Sequence, residues 1–179
     1  MVAGGERIVT GRLILRRWRE SDAEPMAAIN ADPEVTRYLN RPAPVADHGA
    51  FVERAESHWR EHGFGWYAVE GTAGGERGAL IGFVGIALPT FIPALAHRQE
   101  LGWRLARSAW GKGYATESAR AVRDDAAATL AFDELISIID TRNVRSQRVG
   151  TKLGMTVQEQ VLNPLSGRHV DVWQMPLAA

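Results

Sequence analysis

From Glu100 to Glu117 the chain reads Glu-Leu-Gly-Trp-Arg-Leu-Ala-Arg-Ser-Ala-Trp-Gly-Lys-Gly-Tyr-Ala-Thr-Glu: an extended apolar stretch, a turn with two glycines, then a helix-forming run. Gly111 and Gly113 can adopt positive φ and let a ligand approach the backbone, while the first N–H groups of the following helix lie open at the turn. Between Leu101 and Thr116 the only charged residues are Arg104, Arg107 and Lys112. Helix dipole and local charge therefore favour an anion at one spot, and the shape suits a pyrophosphate. Competing glycine motifs fail on spacing. A P-loop requires glycine where Ala106 stands and a hydroxyl residue where Gly113 stands, and a dinucleotide fingerprint requires glycine at Thr116.

Other residues could do proton chemistry. Glutamate is depleted in strands, so Glu100 at the head of an apolar strand is a candidate general base, provided burial raises its pKa. The alternative is a solvated strand end or a pair with Arg98. Asn143 is a preferred helix N-cap and Ser146 falls in the first turn behind it. Tyr114, beside the glycines, either packs or reaches a ligand. Arg145, Arg148 and Lys152 share one helical face. His58-Trp-Arg-Glu61-His62 matches an inverted zinc-peptidase pattern, yet it ends an amphipathic helix beside Gly63, and no downstream glutamate offers a third ligand. The chain has no cysteine, which removes disulfides and thiol catalysis.

The elements that would position these groups follow from periodicity. Strands are expected at 12–18, 66–70, 80–88, 99–105, 135–140, 156–161 and 168–175, and a helix at 24–30 behind the capping candidates Ser21 and Asp22. Phe51, Ala55 and Trp59 give a helical pattern over 45–62. Ala115, Ala119, Val122, Ala126 and Leu130 form one stripe on a helix that starts at the glycine loop, leaving Glu117, Arg120 and Asp124 outside. The strand–helix–strand order around that loop requires a parallel pair with a right-handed crossover. The six tryptophans are spread over these elements and read as core.

With 179 residues, 45% of them hydrophobic, one domain spanning 1–179 is expected. Lys plus Arg and Asp plus Glu number 21 each, so no global field attracts nucleic acid or a membrane. No apolar run has the length of a transmembrane helix, and a cytoplasmic protein is the expectation.

The string Trp110-Gly-Lys-Gly-Tyr-Ala-Thr-Glu117 resembles the acyl-CoA pyrophosphate loop of the GNAT N-acyltransferases, with Ser108 where Gln or Arg is usual. Thr10-Gly-Arg-Leu-Ile-Leu-Arg16 with Ser21-Asp-Ala23, and Asn143-Val-Arg-Ser146 followed by Lys152-Leu-Gly154, are similar to the ribosomal-protein N-terminal acetyltransferase branch. Met155 stands where that branch has an aromatic. The resemblance implies an α/β (α+β) fold: a mixed, mostly antiparallel sheet of about seven strands, splayed between two central strands and flanked by about four helices. It implies an N-acetyltransferase that uses acetyl-CoA and no metal, by direct attack of an amine acceptor, either a protein N-terminus or a small molecule. Glu100 would be the base. The main chain of Trp103, Arg104 and Leu105 would pair with the pantetheine arm, and Trp110, Gly111, Lys112, Gly113, Tyr114, Ala115 and Thr116 would hold the diphosphate. Asn143 would bond the pantetheine, and Ser146 would lie near the sulfur as proton donor. The segments 38–45 and 89–97 would shape the acceptor pocket, and a homodimer is compatible. A CoA-binding sensor of the same fold is the non-enzymatic alternative.

Overall fold

The computed structural model describes residues 6–39, 49–72 and 77–177. Its strands are β1 (Arg7–Val9), β2 (Leu13–Arg16), β3 (Trp66–Gly71), β4 (Leu80–Ala87), β5 (Glu100–Leu105), β6 (Glu134–Asp140), β7 (Thr156–Asn163) and β8 (Arg168–Pro176). They form one sheet in the order β1-β2-β3-β4-β5-β6-β8-β7. Every neighbouring pair is antiparallel except β5 and β6. The helices are α1 (Ala23–Ala31), α2 (Pro33–Thr36), α3 (Ala50–His62), α4 (Tyr114–Thr129) and α5 (Val144–Leu153). None among the described residues is long and apolar enough to cross a membrane.

Strand alternation divides the core between the two faces of the sheet. Leu13, Leu15, Val69, Leu101, Leu105 and Leu135 turn to one face, where Ala119, Val122 and Ala126 of α4 and Leu153 of α5 cover them. Trp18, Ala68 and Phe83 turn to the other, under Met26 and Ile29 of α1 and Ala55 of α3. A third cluster on that second face seats Ile92 and Leu95, from the segment before β5, on Ile136, Val170 and Val172. β4 is buried along nearly its whole length because both faces are covered, and its sequence Leu-Ile-Gly-Phe-Val-Gly-Ile-Ala is accordingly apolar throughout.

Four features depart from the sequence reading. β1 is an eighth strand, three residues long and without a hydrophobic alternation to announce it. α2 is a fifth helix of a single turn, started by Pro33 and by Asp32, whose Oδ1 accepts the Glu34 N–H at 2.8 Å. The strand expected over 12–18 ends at Arg16. There Asp22, expected as a cap, accepts the Arg19 N–H at 2.8 Å at the turn that enters α1 and also takes the Arg16 guanidinium through two bonds of 2.7 and 2.8 Å, while Glu70 takes its Nε at 2.9 Å. The helical pattern over 45–62 becomes a helix from Ala50; residues 45–48 lie outside the described residues.

α3 closes at Gly63, which takes φ 76°, and its inner residues lock onto β3 through polar atoms as well as packing. The Trp66 carbonyl accepts two indole N–H groups, from Trp18 at 2.8 Å and Trp59 at 2.9 Å. His58 bonds the Phe64 carbonyl through Nδ1 at 2.9 Å and accepts the Leu88 N–H at Nε2, at 3.3 Å. Those two bonds require the neutral ring protonated on Nδ1, and both nitrogens are thereby used. The zinc-peptidase reading of His58, Glu61 and His62 therefore fails on geometry, and Glu61 accepts the Ser57 hydroxyl at 2.9 Å.

Burial holds the His58 pKa below its ordinary value, against the raising effect of the Phe64 carbonyl. The folded state thus prefers the neutral ring. Its contribution to stability is complete above the unfolded pKa of about 6.5 and is lost as pH falls from there through the lower folded value. Thermal unfolding followed between neutral and acidic pH is expected to show this loss in the wild type. His58→Gln is expected to be less stable at pH 7.5 and to show a flatter acid dependence.

Candidate active site

The cavity that brings the predicted residues together exists because β5 and β6 part company. Parallel pairing holds only at Glu100 opposite Ile136, with the Ile136 N–H on the Gln99 carbonyl at 2.9 Å. β5 meanwhile stays paired with β4 as far as Leu105. The main-chain groups of β5 that face β6 are those of the odd-numbered residues, and each must find another partner. The Leu101 carbonyl accepts the buried Ser137 hydroxyl at 2.6 Å, and the Leu105 carbonyl accepts the Trp110 indole at 2.9 Å. Trp103, between them, faces the gap and has no strand beside it there.

The carboxylate of Glu100 turns into the apex of this gap. The Ile138 N–H, which has lost its β5 partner to the divergence, donates to it. Desolvation outweighs that bond and pushes the Glu100 pKa up to about 7. The carboxyl is therefore neither a solvated strand end nor the partner of Arg98, whose guanidinium lies on Glu134 at 2.5 Å.

Below the gap, a single turn of tight helix at Arg107–Ala109 leads to Gly111 and Gly113 with φ of 77° and 83°. α4 then begins at Tyr114 with no side chain capping it. Two residues that sequence reasoning missed hold this loop. Arg12 donates through Nη1 to the Lys112 carbonyl at 2.9 Å and through Nε to Glu117 at 2.7 Å. Glu117, expected to face solvent, also accepts the Thr10 hydroxyl at 2.6 Å and the Arg12 N–H at 3.1 Å. Partial burial tends to raise the Glu117 pKa, but the bonds from Thr10 and Arg12 outweigh it and keep the carboxyl below its usual range. No local pattern could have found this clamp, since its halves lie about a hundred residues apart in sequence.

From the far side α5 completes the wall. Asn143 caps it, with Oδ1 accepting the Ser146 N–H at 3.2 Å, and Arg145 lays its guanidinium over the Trp110 ring at 4.5 Å. The resulting cavity has a volume of about 370 Å³. Trp103, Arg104, Leu105, Trp110, Gly111, Gly113, Tyr114, Ala115, Thr116, Asn143 and Ser146 all line it. Glu100 and Lys112 do not: the first sits at the strand apex, and the second contributes its carbonyl to the clamp. Arg104, Arg145, Arg148 and Lys152 bring four positive charges to the lining against the one negative charge of Glu34. Tyr38 and Leu39 close one end, while 40–45 lie outside the described residues. The segment 89–97 packs beside the gap on β6 and β8 without lining the cavity.

A mixed sheet split beside its one parallel pair, with a glycine loop feeding a helix at the split, defines a class of acyl-transfer fold. The profile of the acetyltransferase (GNAT) domain matches residues 12–156, and the chain belongs to that family. It is an acetyltransferase. It is 28% identical to p20 of Bacillus licheniformis, an uncharacterised N-acetyltransferase, over 96% of each chain. A solved acetyltransferase from Agrobacterium tumefaciens is 27% identical and superposes with a TM-score of 0.79, covering 94% of this chain and 93% of that one. A structure of RimL, a ribosomal alpha-N-protein acetyltransferase in complex with coenzyme A, has the same fold at 14% identity, with a TM-score of 0.76 over 95% and 97% of the two chains.

Because the Leu101 carbonyl is buried with Ser137 as its partner, Ser137→Ala leaves an acceptor unsatisfied inside the protein. Denaturant unfolding is expected to register a loss of about 1–3 kcal/mol. Ser137→Thr, which keeps the hydroxyl, is the control.

Proposed function

We propose that this chain, acting as one domain, transfers the acetyl group of acetyl-CoA to a primary amine by direct attack within a complex that holds both. The observation that carries this reading is the gap itself, where the unpaired main chain of Trp103 lies above an uncapped helix start and a cationic wall. The pantetheine arm would add to β5 there as a short strand, and the Asn143 side-chain NH2 would donate to it. The loop from Trp110 to Thr116 would take the diphosphate on its main-chain N–H groups, with Arg145, Arg148 and Lys152 supplying charge. Gly111 favours this, since a Cβ built there meets nothing within 4 Å and the space before the loop is open. That RimL, which shares this fold, was solved in complex with coenzyme A supports a CoA ligand here.

Catalysis then asks three things of the protein. Glu100, with a pKa of about 7, takes a proton from the acceptor ammonium, directly or through one water. The freed nitrogen pair adds to the thioester carbonyl, and a β5 N–H donates to the oxygen as it becomes negative. As the C–S bond breaks, the electron pair leaves on sulfur; the Ser146 hydroxyl passes its proton to the sulfur and is reprotonated, through water, by the second proton that the attacking nitrogen gives up on becoming an amide. The acceptor is a peptide N-terminus or a small amine.

Glu100→Gln is expected to lower kcat by roughly 10²–10⁴-fold while CoA affinity by calorimetry stays within about twofold. In the wild type, kcat/KM is expected to rise with pH through about 7 as Glu100 ionises, and the variant lacks that limb. Full activity in Glu100→Gln would place the base elsewhere. Gly111→Val, which cannot hold φ 77° without strain, is expected to weaken CoA binding by about tenfold or more. Normal affinity would contradict the loop assignment. Tight CoA binding with no thiol release across a panel of amines would indicate a sensor.

A further inference from the structure

Two arginines reach into this fold, Arg16 buried and Arg104 half-buried, and their surroundings differ. Arg16 is 8% exposed and sits between two carboxylates, Asp22 and Glu70. Arg104 has no carboxylate within ion-pair distance among the described residues. It donates through Nη1 to the Asn30 amide oxygen at 2.7 Å, and its guanidinium lies 5.1 Å from the Phe83 ring centre. Its Nε is buried with no partner. Desolvation pushes its pKa down only to about 10, so it stays a cation at neutral pH. One neutral amide and one ring compensate a buried guanidinium poorly, and an enclosed unpaired charge is strongly unfavourable.

The position of this charge says what would complete it. Leu101, Trp103 and Leu105 point to the α4 face, so Glu100, Gly102 and Arg104 point together to the opposite face, under α1 and Phe83. Arg104 also forms part of the cavity wall, at the end closed by Glu34, Val35, Tyr38 and Leu39. The other charged group there, Glu34, bonds Arg37 at 3.5 Å rather than Arg104. Between Glu100 and Arg104 the strand has no side chain. A Cβ on Gly102 would meet only the Trp66 indole nitrogen, at 3.9 Å. The front of β5 thus carries in one row a carboxylate of pKa about 7 at one end, the Trp66 indole nitrogen near the middle and, at the other end, a guanidinium that no carboxylate among the described residues answers.

We propose that Arg104 binds a carboxylate on the acceptor, so that the substrates are amines that also carry a carboxylate group. This rests on the N-acetyltransferase reading and names its substrate class. The acceptor lies along β5 with its amine at Glu100 and its carboxylate on the Nη edge of the Arg104 guanidinium, whose Nη1 also holds the Asn30 amide. The two residues are four apart on the strand, about 13 Å between Cα atoms. That span suits a short peptide or an ω-amino acid better than the adjacent groups of an α-amino acid.

The test compares glycylglycine with its amide, and ε-aminocaproate with its amide, in turnover with acetyl-CoA and in calorimetry on the CoA-loaded protein. The wild type is expected to favour each acid over its amide by about tenfold or more in kcat/KM. Arg104→Gln is expected to collapse that ratio to near unity through KM for the acids; Arg104→Lys restores part of it. Since Arg104→Gln removes an uncompensated buried charge, its Tm is not expected to fall. A merely structural arginine would instead lower Tm and reduce acids and amides equally. Turnover with no preference for acids overturns the Arg104 assignment and leaves the acetyltransferase reading standing. Arg104-dependent binding of the acids without turnover does the reverse. Neither binding nor preference in the wild type overturns the assignment outright.

Discussion

A backbone that leaves its sheet must put its hydrogen bonds somewhere, and the site of this protein follows from that demand. β5 keeps β4 on one side and abandons β6 on the other after Glu100. The freed groups are answered one at a time by unlike partners: a serine hydroxyl for Leu101, an indole for Leu105, and a carboxylate for the Ile138 N–H across the gap. Among the described residues no strand lies beside Trp103 in the middle. A ligand that can pair as a strand is held there by the same bonds that build the sheet, and side-chain identity matters little to that step.

The remaining parts of the site are kept in place by contacts that are long-range in sequence. The glycine loop is fastened to the first hairpin by Arg12, which grips both the Lys112 carbonyl and Glu117. α5 is fastened to the loop by Arg145 over Trp110. The two left-handed glycines are thus held in a frame on both sides, and the open N–H groups of α4 keep a fixed direction. The wall is cationic although the chain as a whole is neutral, because among the described residues four basic side chains converge there and one acid does.

Arg16 and Arg104 illustrate how one residue type takes opposite roles. Arg16 follows Leu15 at the end of a strand, and its carboxylates arrive from a turn six residues on and from β3. It fastens the second face of the sheet. Arg104 lies three strands along the sheet, where the neighbouring element supplies an amide instead of an acid. A charge left open beside a cavity has a different use from a charge already matched.

Much of this was legible in the residues because it depends on near neighbours. The positive φ at Gly111 and Gly113, the start of α4, and the cap that Asn143 makes on α5 are settled within three or four positions of the chain. So is the buried stripe of Ala119, Val122 and Ala126, which periodicity alone identifies. β1 and α2 escaped because elements of three and four residues are too short to carry a period. Tertiary structure decided the rest. Whether the Glu100 carboxyl would stay solvated or have its pKa raised by desolvation depended on how far β6 swings away, and whether Glu117 would face water or hold a loop depended on where the first hairpin lands. Pairing and desolvation are properties of surroundings, and those surroundings come from residues tens of positions distant, which no local pattern encodes.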